Sequence, residues 1–428
     1  MDANSLLAAR FKAQSNKFSG IISKGMPKAK RNLIREMIYG IQASKDVKLS
    51  NISRALQEDI PLSKTEDRLS RNLDDRDFTQ PVNEQLMRLG KEKIDESMVI
   101  AIDPGDICKP YAKDMEHLCN IYDGSEHRQA SGYHLCQVTA ANLQHNRIVP
   151  LYCEAYSSEE QGYEGATEKL KSIITTVKNH IGTQGTWAID RQGDNAEIIR
   201  HFVKEELQFV TRLKMNRYLH IKGNTAAQVQ ACNILRHVRL PHTAHIATIT
   251  DGKEQFLKLK FGAVTIALPD APQQWFTLLV VEGFGREPML LLSSLKVPFS
   301  NSKQLYRIVE IYLTRWKCDE CYRYIKQSYN LEDIRVRSYI AIRNVSVLLH
   351  AIAYFTSIFL GVSLKLKVMV QKIFILSKRF FGVPTFFNYA MADGIFELLK
   401  KTKTGILIQF KGKSSPPHQN FQLDLFPT

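Results

Sequence analysis

The sequence lacks the cysteine pattern of a disulfide-rich or zinc-binding protein. Its seven cysteines are an odd number spread over 428 residues, which favours free thiols in a reducing cytosol. Cys318 and Cys321 form a Cys-x-x-Cys pair, but no second pair stands at metal-ligand spacing, so a zinc site is not expected. There is no internal repeat, and the opening "MDANSLLAARFKAQ" has no continuous apolar core of the kind a signal peptide needs. These absences predict a cytoplasmic protein.

Long apolar runs are also scarce. One stretch, residues 344–364, has 21 residues without a formal charge, which is about the length that crosses a bilayer. It contains Asn344 and His350, and nothing else in the chain resembles a second span. A buried core helix is therefore favoured over a membrane span, and no membrane partner is expected.

Acidic residues are few relative to basic ones. Lys and Arg number 58 against 43 Asp and Glu, which gives a formal net charge of +15. Residues 1–71 carry 14 basic against 7 acidic residues, and residues 365–428 carry 10 against 3. Such an excess favours a polyanionic partner, usually nucleic acid, and places the strongest cationic character in the two flanks.

The N-terminal region, residues 1–95, is expected to be helical, basic and DNA-binding. Its segment 48–73 divides at Ile60-Pro61 into two short amphipathic helices, and Ser63 with Glu66 fits a capping box. Two short helices joined by a turn suit DNA binding, and a plain helical hairpin is the alternative. The basic side chains expected to point outward are Arg54, Lys64, Arg68 and Arg71.

The middle of the chain predicts an α/β (α+β) fold. Strand patterns at 97–103, 133–143 and 148–156 precede a helix at 163–181 and a strand at 186–190. This order begins a ribonuclease-H-like fold, and a generic α+β sheet is the competing interpretation. The expected organisation is a catalytic core at 96–218 and 299–365, a β-rich insertion at 219–298, a basic helical region at 366–410 and a disordered tail at 411–428.

Two predicted strands end in aspartate, at Asp103 in "VIAIDPGD" and Asp190 in "WAIDRQGD". A single strand-end aspartate is commonly a turn or a cap. In the predicted order, however, the ends of the first and fourth strands are neighbours, which brings two carboxylates together. Such a pair repels itself unless a cation neutralises it, and oxygen ligands favour Mg²⁺ or Mn²⁺.

The stretch "YLTRWKCDECYRYIK" (312–326) reads as a helix with a charged face. Helical spacing places five side chains on that face: Tyr312, Arg315, Asp319, Arg323 and Lys326. Basic groups beside a carboxylate suit a site that holds both a metal and phosphates. A solvated charged helix is the alternative, although it would not need Trp316 and several tyrosines so close together.

These segments resemble the bacterial insertion-sequence DDE transposases that carry a Tyr-x2-Arg-x3-Glu-x6-Lys signature. Tyr312, Arg315 and Lys326 match the signature, and Trp316 matches a frequent neighbour. "IDPGD" and "DRQGD" resemble the blocks around the first two aspartates. The match covers roughly residues 95–345. It departs at the third carboxylate, where Asp319 stands in place of glutamate and Glu320 follows.

The resemblance implies a DNA transposase with a ribonuclease-H-like core and two Mg²⁺ or Mn²⁺ ions. Asp103, Asp190 and Asp319 would be the catalytic metal ligands, with Glu320 as the alternate third ligand. The implied DNA contacts are Arg191, Arg212, Tyr312, Arg315, Trp316, Arg323 and Lys326. For Trp316 a buried core position is an equal alternative to stacking on a base. Asp194, like Arg191, would be a companion of the second aspartate, Asp190.

The implied partners are double-stranded DNA, as terminal inverted repeats and as target, and a second copy of the chain on that DNA. The expected location is the cytoplasm, at the nucleoid. A nuclease or resolvase, a catalytically impaired DNA-binding protein and an incidental charge excess remain as alternatives.

The tail "FQLDLFPT" resembles the peptide by which bacterial DNA-processing proteins dock on the replication sliding clamp. The positions that carry this resemblance are Gln422, Leu423, Leu425 and Phe426. Exposed apolar side chains in a polar tail suggest a partner pocket, although folding back onto the protein's own surface is the alternative.

Overall fold

A bundle of helices precedes the first strand. A computed structural model describes residues 3–124, 126–143, 148–250, 253–360, 388–402 and 405–406. The helices are α1 (Ala3–Ile22), α2 (Lys28–Ser44), α3 (Leu49–Leu56), α4 (Leu62–Asp74) and α5 (Thr79–Lys91). They pack into the same hydrophobic cluster as the sheet that follows, through residues such as Phe11, Phe18 and Met37.

The first part of the central sheet combines antiparallel and parallel strand pairings. Its elements are β1 (Met98–Cys108), β2 (Cys119–Asp123), β3 (Arg128–Asn142), β4 (Ile148–Tyr156), α6 (Ala166–Ile181), β5 (Thr186–Ile189), α7 (Ala196–Lys204) and β6 (Gln208–Arg212). Strand β3 lies between β4 and β1, and β1 is followed by β5 and β6. β1 pairs antiparallel with β3 and parallel with β5. The predicted β-β-β-α-β order is present, with the short strand β2 as an addition.

The β-rich stretch at 219–298 extends this sheet. Its elements are β7 (Tyr218–Ile221), β8 (Asn224–Gln230), α8 (Ala231–Ile234), β9 (His242–Thr250), β10 (Lys253–Leu268), β11 (Ala271–Glu282) and β12 (Met289–Ser293). β12 pairs with β6 on one side and β11 on the other, so the hydrogen-bonded ladder is continuous. Successive residues of β11 from Phe276 to Val281 are all buried, as expected for a strand covered on both faces.

Among the described residues, three helices follow the sheet: α9 (Ser302–Tyr329), α10 (Tyr339–Tyr354) and α11 (Asn388–Thr402). Asn301 caps α9 by accepting a 3.1 Å hydrogen bond from the Gln304 backbone N–H. Asn330 ends α9 in the left-handed conformation at φ 54°, which asparagine tolerates well. A π turn at Phe355–Phe359 continues α10.

Helix α10 with its π turn is the apolar stretch that imitates a membrane span. By length and composition, Tyr339–Phe359 could cross a membrane, yet 83% of its most apolar window is buried inside the protein. Phe18 of α1 lies 5.4 Å from the Phe355 ring and 6.0 Å from the Tyr354 ring, measured between centroids. This stretch is packed as a core helix.

Two local predictions at the N-terminal helices are wrong. Ser63 does not cap α4, because the helix already begins at Leu62, with Pro61 at the N-cap and no side-chain cap bond. Arg68 does not point freely outward. Its guanidinium forms ion pairs with Glu36 and Glu58, so its positive charge is neutralised within the helical region. Arg54, Lys64 and Arg71 are exposed.

Candidate active site

Two strand-end carboxylates lie side by side. The parallel register pairs Ala101 of β1 with Ala188 of β5, and an aspartate follows each alanine by two residues. Alternation along a strand points Asp103 to the same face as Val99, and Asp190 to the same face as Ala188. Val99 and Ala188 both belong to the cluster in which residues of α9 pack. The two carboxylates therefore emerge on the side of the sheet that α9 covers.

The local backbone around Asp190 is held in place. Its side chain accepts a 2.8 Å hydrogen bond from the Gln192 backbone N–H and so starts the tight turn Arg191–Gly193. Its own carbonyl accepts a 3.0 Å bond from the Thr211 hydroxyl at the end of β6. A Cβ on Gly193 would lie 2.2 Å from the Ile189 side chain, so this turn requires glycine.

Helix α9 brings the third carboxylate. Asp319 is half-buried and accepts a 2.7 Å ion-paired hydrogen bond from the buried guanidinium of Arg315, one turn earlier. Lys317 anchors the helix by donating to the Asn142 carbonyl at 2.7 Å, at the end of β3. Asp319 is close enough to Asp103 and Asp190 for the three charges to act on one another.

The electrostatics of the three carboxylates show an excess of negative charge. Burial and then the charge of Asp319 raise the pKa of Asp103 to about 7, and Asp190 adds to the rise. Burial also raises the pKa of Asp319, against the opposing effect of Arg315. Neighbouring carboxylates that raise the pKa of Asp103 and Asp319 are what a divalent cation with oxygen preference would relieve.

Glu320 points elsewhere. Its buried carboxylate pairs with Arg323 and lies near the phenol of Tyr389 on α11. One residue of helix rotates a side chain by about 100°, which separates Glu320 from the face that Asp319 shares with Arg315. The structure therefore groups Asp319, and not Glu320, with the two strand-end aspartates.

The predicted DNA contacts on α9 divide into buried and exposed groups. Tyr312 is only 3% exposed and lies under Arg315, whose guanidinium is 5.7 Å from the ring centroid. It therefore supports Arg315 instead of presenting its phenol to a phosphate as expected. Trp316 is 38% exposed and contacts Phe284 at a centroid distance of 5.1 Å, so it is not a core tryptophan. Arg323 is exposed, and Lys326 pairs with Glu332 at 3.0 Å.

The two remaining predicted contacts flank Asp190. Arg191 is exposed in the turn that follows it, and Arg212 is half-buried at the end of β6. The neighbouring Asp194 is buried, where it accepts a 2.7 Å hydrogen bond from the Lys214 backbone and lies 3.5 Å from Arg217. Asp194 thus holds the turn after β6.

Tyr322 is a positioning residue that sequence reasoning missed. Its hydroxyl donates a 2.6 Å hydrogen bond to the Asp106 carbonyl, which ties α9 to β1 just beyond Asp103. A Cβ on Gly105 would lie 3.0 Å from the Tyr322 ring. The glycine within "IDPGD" was the available signal, because a glycine inside a strand often marks a close approach.

A second group of possible metal ligands lies further along β1. In the described part of the chain, the one set of three ligand atoms within 4.8 Å of one another belongs to Asp106, Cys108 and Asp123. Burial, followed by hydrogen bonding to Asp123, raises the pKa of the Cys108 thiol to about 12. The thiol keeps its proton and donates to Asp106 at 3.4 Å, so a hydrogen-bonded cluster explains this group without a metal. The three site carboxylates do not form such a set within 4.8 Å of one another.

The cysteine pair of α9 lies in the protein interior. Cys318 and Cys321 are buried, and the Cys318 thiol donates to the Thr139 carbonyl at 3.3 Å. Both are free cysteines. The clamp-like tail with Gln422, Leu423, Leu425 and Phe426 lies outside the described residues.

Comparison with known proteins gives matches to solved structures, but none to family models or to curated sequences. Among solved structures, the chain is similar to piggyBac transposase in a cryo-EM structure of its synaptic complex with hairpin DNA. The similarity has a TM-score of 0.46 at 10% sequence identity and covers 97% of this chain and 87% of that one.

Proposed function

We propose that this chain is a DDE-type DNA transposase, with a ribonuclease-H-like core, that cleaves DNA at element ends and joins the freed ends to target DNA. The observation that carries the proposal is the convergence of three carboxylates from β1, β5 and α9 beside a buried arginine. The resemblance of three separate sequence blocks to such enzymes supports the same assignment.

Asp103, Asp190 and Asp319 would hold two Mg²⁺ or Mn²⁺ ions. When bound, such ions activate the attacking water or 3′-hydroxyl and stabilise the leaving oxygen of an in-line displacement at phosphorus. Arg315 fixes the orientation of Asp319 through their 2.7 Å contact, and Tyr312 supports Arg315 from below.

The cations around the carboxylates would bind the DNA backbone. Lys326 acts electrostatically on Asp103, and Arg323 acts on Asp319, so both would be near a phosphate held at the carboxylates. Arg191 and Arg212 flank Asp190 on the other side. Trp316 is exposed enough to stack on an unpaired base. Synapsis of two element ends would require two copies of the chain on DNA, at the nucleoid.

The proposal is tested with purified protein, Mg²⁺ or Mn²⁺, and DNA carrying the sequences that flank this gene. A transposase releases the end and produces joined products. Cleavage without joining would identify a nuclease or resolvase. Binding without cleavage would identify an impaired DNA-binding protein, and no binding would make the charge excess incidental.

Asp103→Asn and Asp190→Asn serve as the matched variants. Each keeps the shape of the side chain and removes a metal ligand, so cleavage should fall at least about 100-fold while DNA binding persists. Wild-type cleavage by either variant would refute the assignment of the site.

The tail is proposed as a sliding-clamp ligand and is tested separately. A peptide of residues 417–428 should bind purified clamp weakly, on the order of micromolar. A Leu425→Ala/Phe426→Ala peptide should not bind. Equal binding of the two peptides would exclude this role.

A further inference from the structure

A cavity lies where the far end of β1 meets the segment that follows α9. It has a volume of about 550 Å³, which is within the range of small-ligand sites. On one side it is lined by residues 108–112 and Met115, and on the other by residues 332–337. These are the continuations of the two elements that carry Asp103 and Asp319.

In this wall, a short 3-10 turn that ends at Asp333 is followed by residues 334–337, which alternate in exposure. Ile334 and Val336 are buried, whereas Arg335 and Arg337 are exposed. Alternation therefore places two guanidinium groups on the same side of the segment. Arg335 has only a long ion pair with Asp333, at 3.7 Å, and Arg337 has no ion pair within the described ranges.

A third cation faces them from the end of β1. Lys109 donates a 2.6 Å hydrogen bond to the Ile334 carbonyl, which is a neutral acceptor. Burial and the nearby charge of Arg335 both lower the pKa of Lys109. Of the two carboxylates in the cavity wall, Glu332 pairs with Lys326 at 3.0 Å and Asp333 pairs with Lys48 at 2.8 Å. The cavity keeps a surplus of positive charge, which suits a phosphate.

The mouth of the cavity presents an aromatic ring. Tyr111 is 86% exposed, which makes it the most exposed of the large apolar side chains described. Pro110, Ala112 and Met115 lie beside it in the cavity lining. An exposed ring beside cations is how proteins hold an unpaired nucleotide, because a base stacks on the ring while its phosphate meets the cations.

The cavity lies close enough to Asp103 for one DNA strand to contact both places. Lys109 follows Asp103 by six residues, just past the end of β1, so at about 3.3 Å per residue the two are at most about 20 Å apart. Lys326 lies between the two places, since it acts on Asp103 and pairs with Glu332 at the cavity.

We infer that this cavity binds an unpaired nucleotide of the DNA strand, with its base on Tyr111 and its phosphate on Lys109, Arg335 and Arg337. The position relative to the cleaved phosphate rests on the proposed function. The binding itself does not, because it requires only single-stranded DNA.

The test is the affinity of the full chain for a fluorescein-labelled single-stranded oligonucleotide, measured by anisotropy in EDTA. Tyr111→Ala should weaken binding about 5- to 100-fold, as loss of one stacked base does, while Tyr111→Phe keeps the ring and the affinity. Arg335→Ala/Arg337→Ala should reduce the slope of log affinity against log salt by about 1.4, because each phosphate contact on a single strand contributes about 0.7.

Three outcomes would overturn the inference: no binding by the wild type, wild-type affinity in Tyr111→Ala, or equal loss in Tyr111→Phe. A separate cleavage assay with Mg²⁺ distinguishes this failure from failure of the proposed function. A wild type that binds through Tyr111 but never cleaves would overturn only the transposase proposal. Cleavage together with unaffected Tyr111→Ala binding would overturn only the cavity.

Discussion

At the residue scale, two neighbouring carboxylates of α9 have different surroundings. Asp319 interacts electrostatically with Asp103, Asp190 and Arg315, whereas the carboxylate of Glu320 is ion-paired with Arg323. Both are acidic and adjacent, so sequence alone left the third ligand open. The direction of each side chain on the folded helix separates them.

This difference predicts opposite results for two conservative changes. Asp319→Asn should lower cleavage at least about 100-fold, because it removes a proposed metal ligand and the charged acceptor of Arg315. Glu320→Gln should keep cleavage within a few-fold, because it alters a pair outside the carboxylate group. The measurement is the rate of end cleavage under identical metal and salt. The reverse ranking would move the third ligand to Glu320.

A second residue-scale prediction concerns His350 in α10. Its imidazole is fully buried, and burial lowers its pKa to about 3. In the unfolded chain a histidine titrates near 6.5. Because the unfolded state takes up the proton first, folding stability falls as the pH drops below 6.5 towards 3.

Between pH 7 and pH 5 this one group should cost about 2 kcal/mol of unfolding free energy, at 1.36 kcal/mol per pH unit. His350→Leu should lose that part of the pH dependence. Urea denaturation of both proteins at the two pH values measures it. An identical pH 7-to-5 change in the variant would show that His350 does not contribute.

At the scale of elements, a buried asparagine of α10 binds the turn between two N-terminal helices. The Asn344 amide donates to the Leu73 and Arg76 carbonyls at 2.8 and 3.0 Å, and its oxygen accepts from the Phe78 backbone N–H at 2.9 Å. The side chain is completely buried. These bonds close the turn between α4 and α5 against α10.

Replacing this amide should destabilise the protein strongly. Asn344→Leu keeps the approximate volume but leaves three buried backbone groups without partners, at about 1–3 kcal/mol each. We expect a loss of at least about 3 kcal/mol in chemical denaturation. Asn233→Leu, at an exposed position, is the matched control and should change stability by less than about 0.5 kcal/mol. Similar stabilities of the two variants would contradict the role of Asn344.

The elements also show what sequence could and could not predict. Strand β4 has the predicted bounds 148–156, and the predicted helix at 312–326 lies within α9, because strong periodicity defines both. The short strand β2 was missed, because five residues give too little pattern. The burial of Tyr312 was missed as well, because helical spacing identifies a face but not what covers it.

At the scale of the whole molecule, the N-terminal helices are part of the core and cannot simply be removed. Phe11 of α1 lies 5.7 Å from Phe355, measured between ring centroids, and Phe18 contacts the same ring. Deleting residues 1–75 would expose this cluster and unfold more than a DNA contact. A test of DNA binding by this region therefore needs surface substitutions.

Arg54 and Lys64 are suitable for such a test, because both are exposed on α3 and α4. If each contacts a phosphate, Arg54→Glu/Lys64→Glu should reduce the slope of log affinity against log salt for duplex DNA by about 1.8. Lys204→Glu, exposed at the end of α7, is the control for charge reversal elsewhere. Equal slopes in the first variant and the wild type would exclude phosphate contacts by these two residues.

The three carboxylates come from widely separated parts of the chain, with the β7–β12 extension between the second and the third. A ribosome makes the chain from the N-terminus, so Asp319 emerges long after the strands that carry Asp103 and Asp190. Polypeptides that stop within the extension contain the first two carboxylates and much of the basic surface but lack α9. Under the proposed function, such fragments would lack the third metal ligand and be unable to cut DNA, so a prematurely ended product would be harmless to the genome that encodes it.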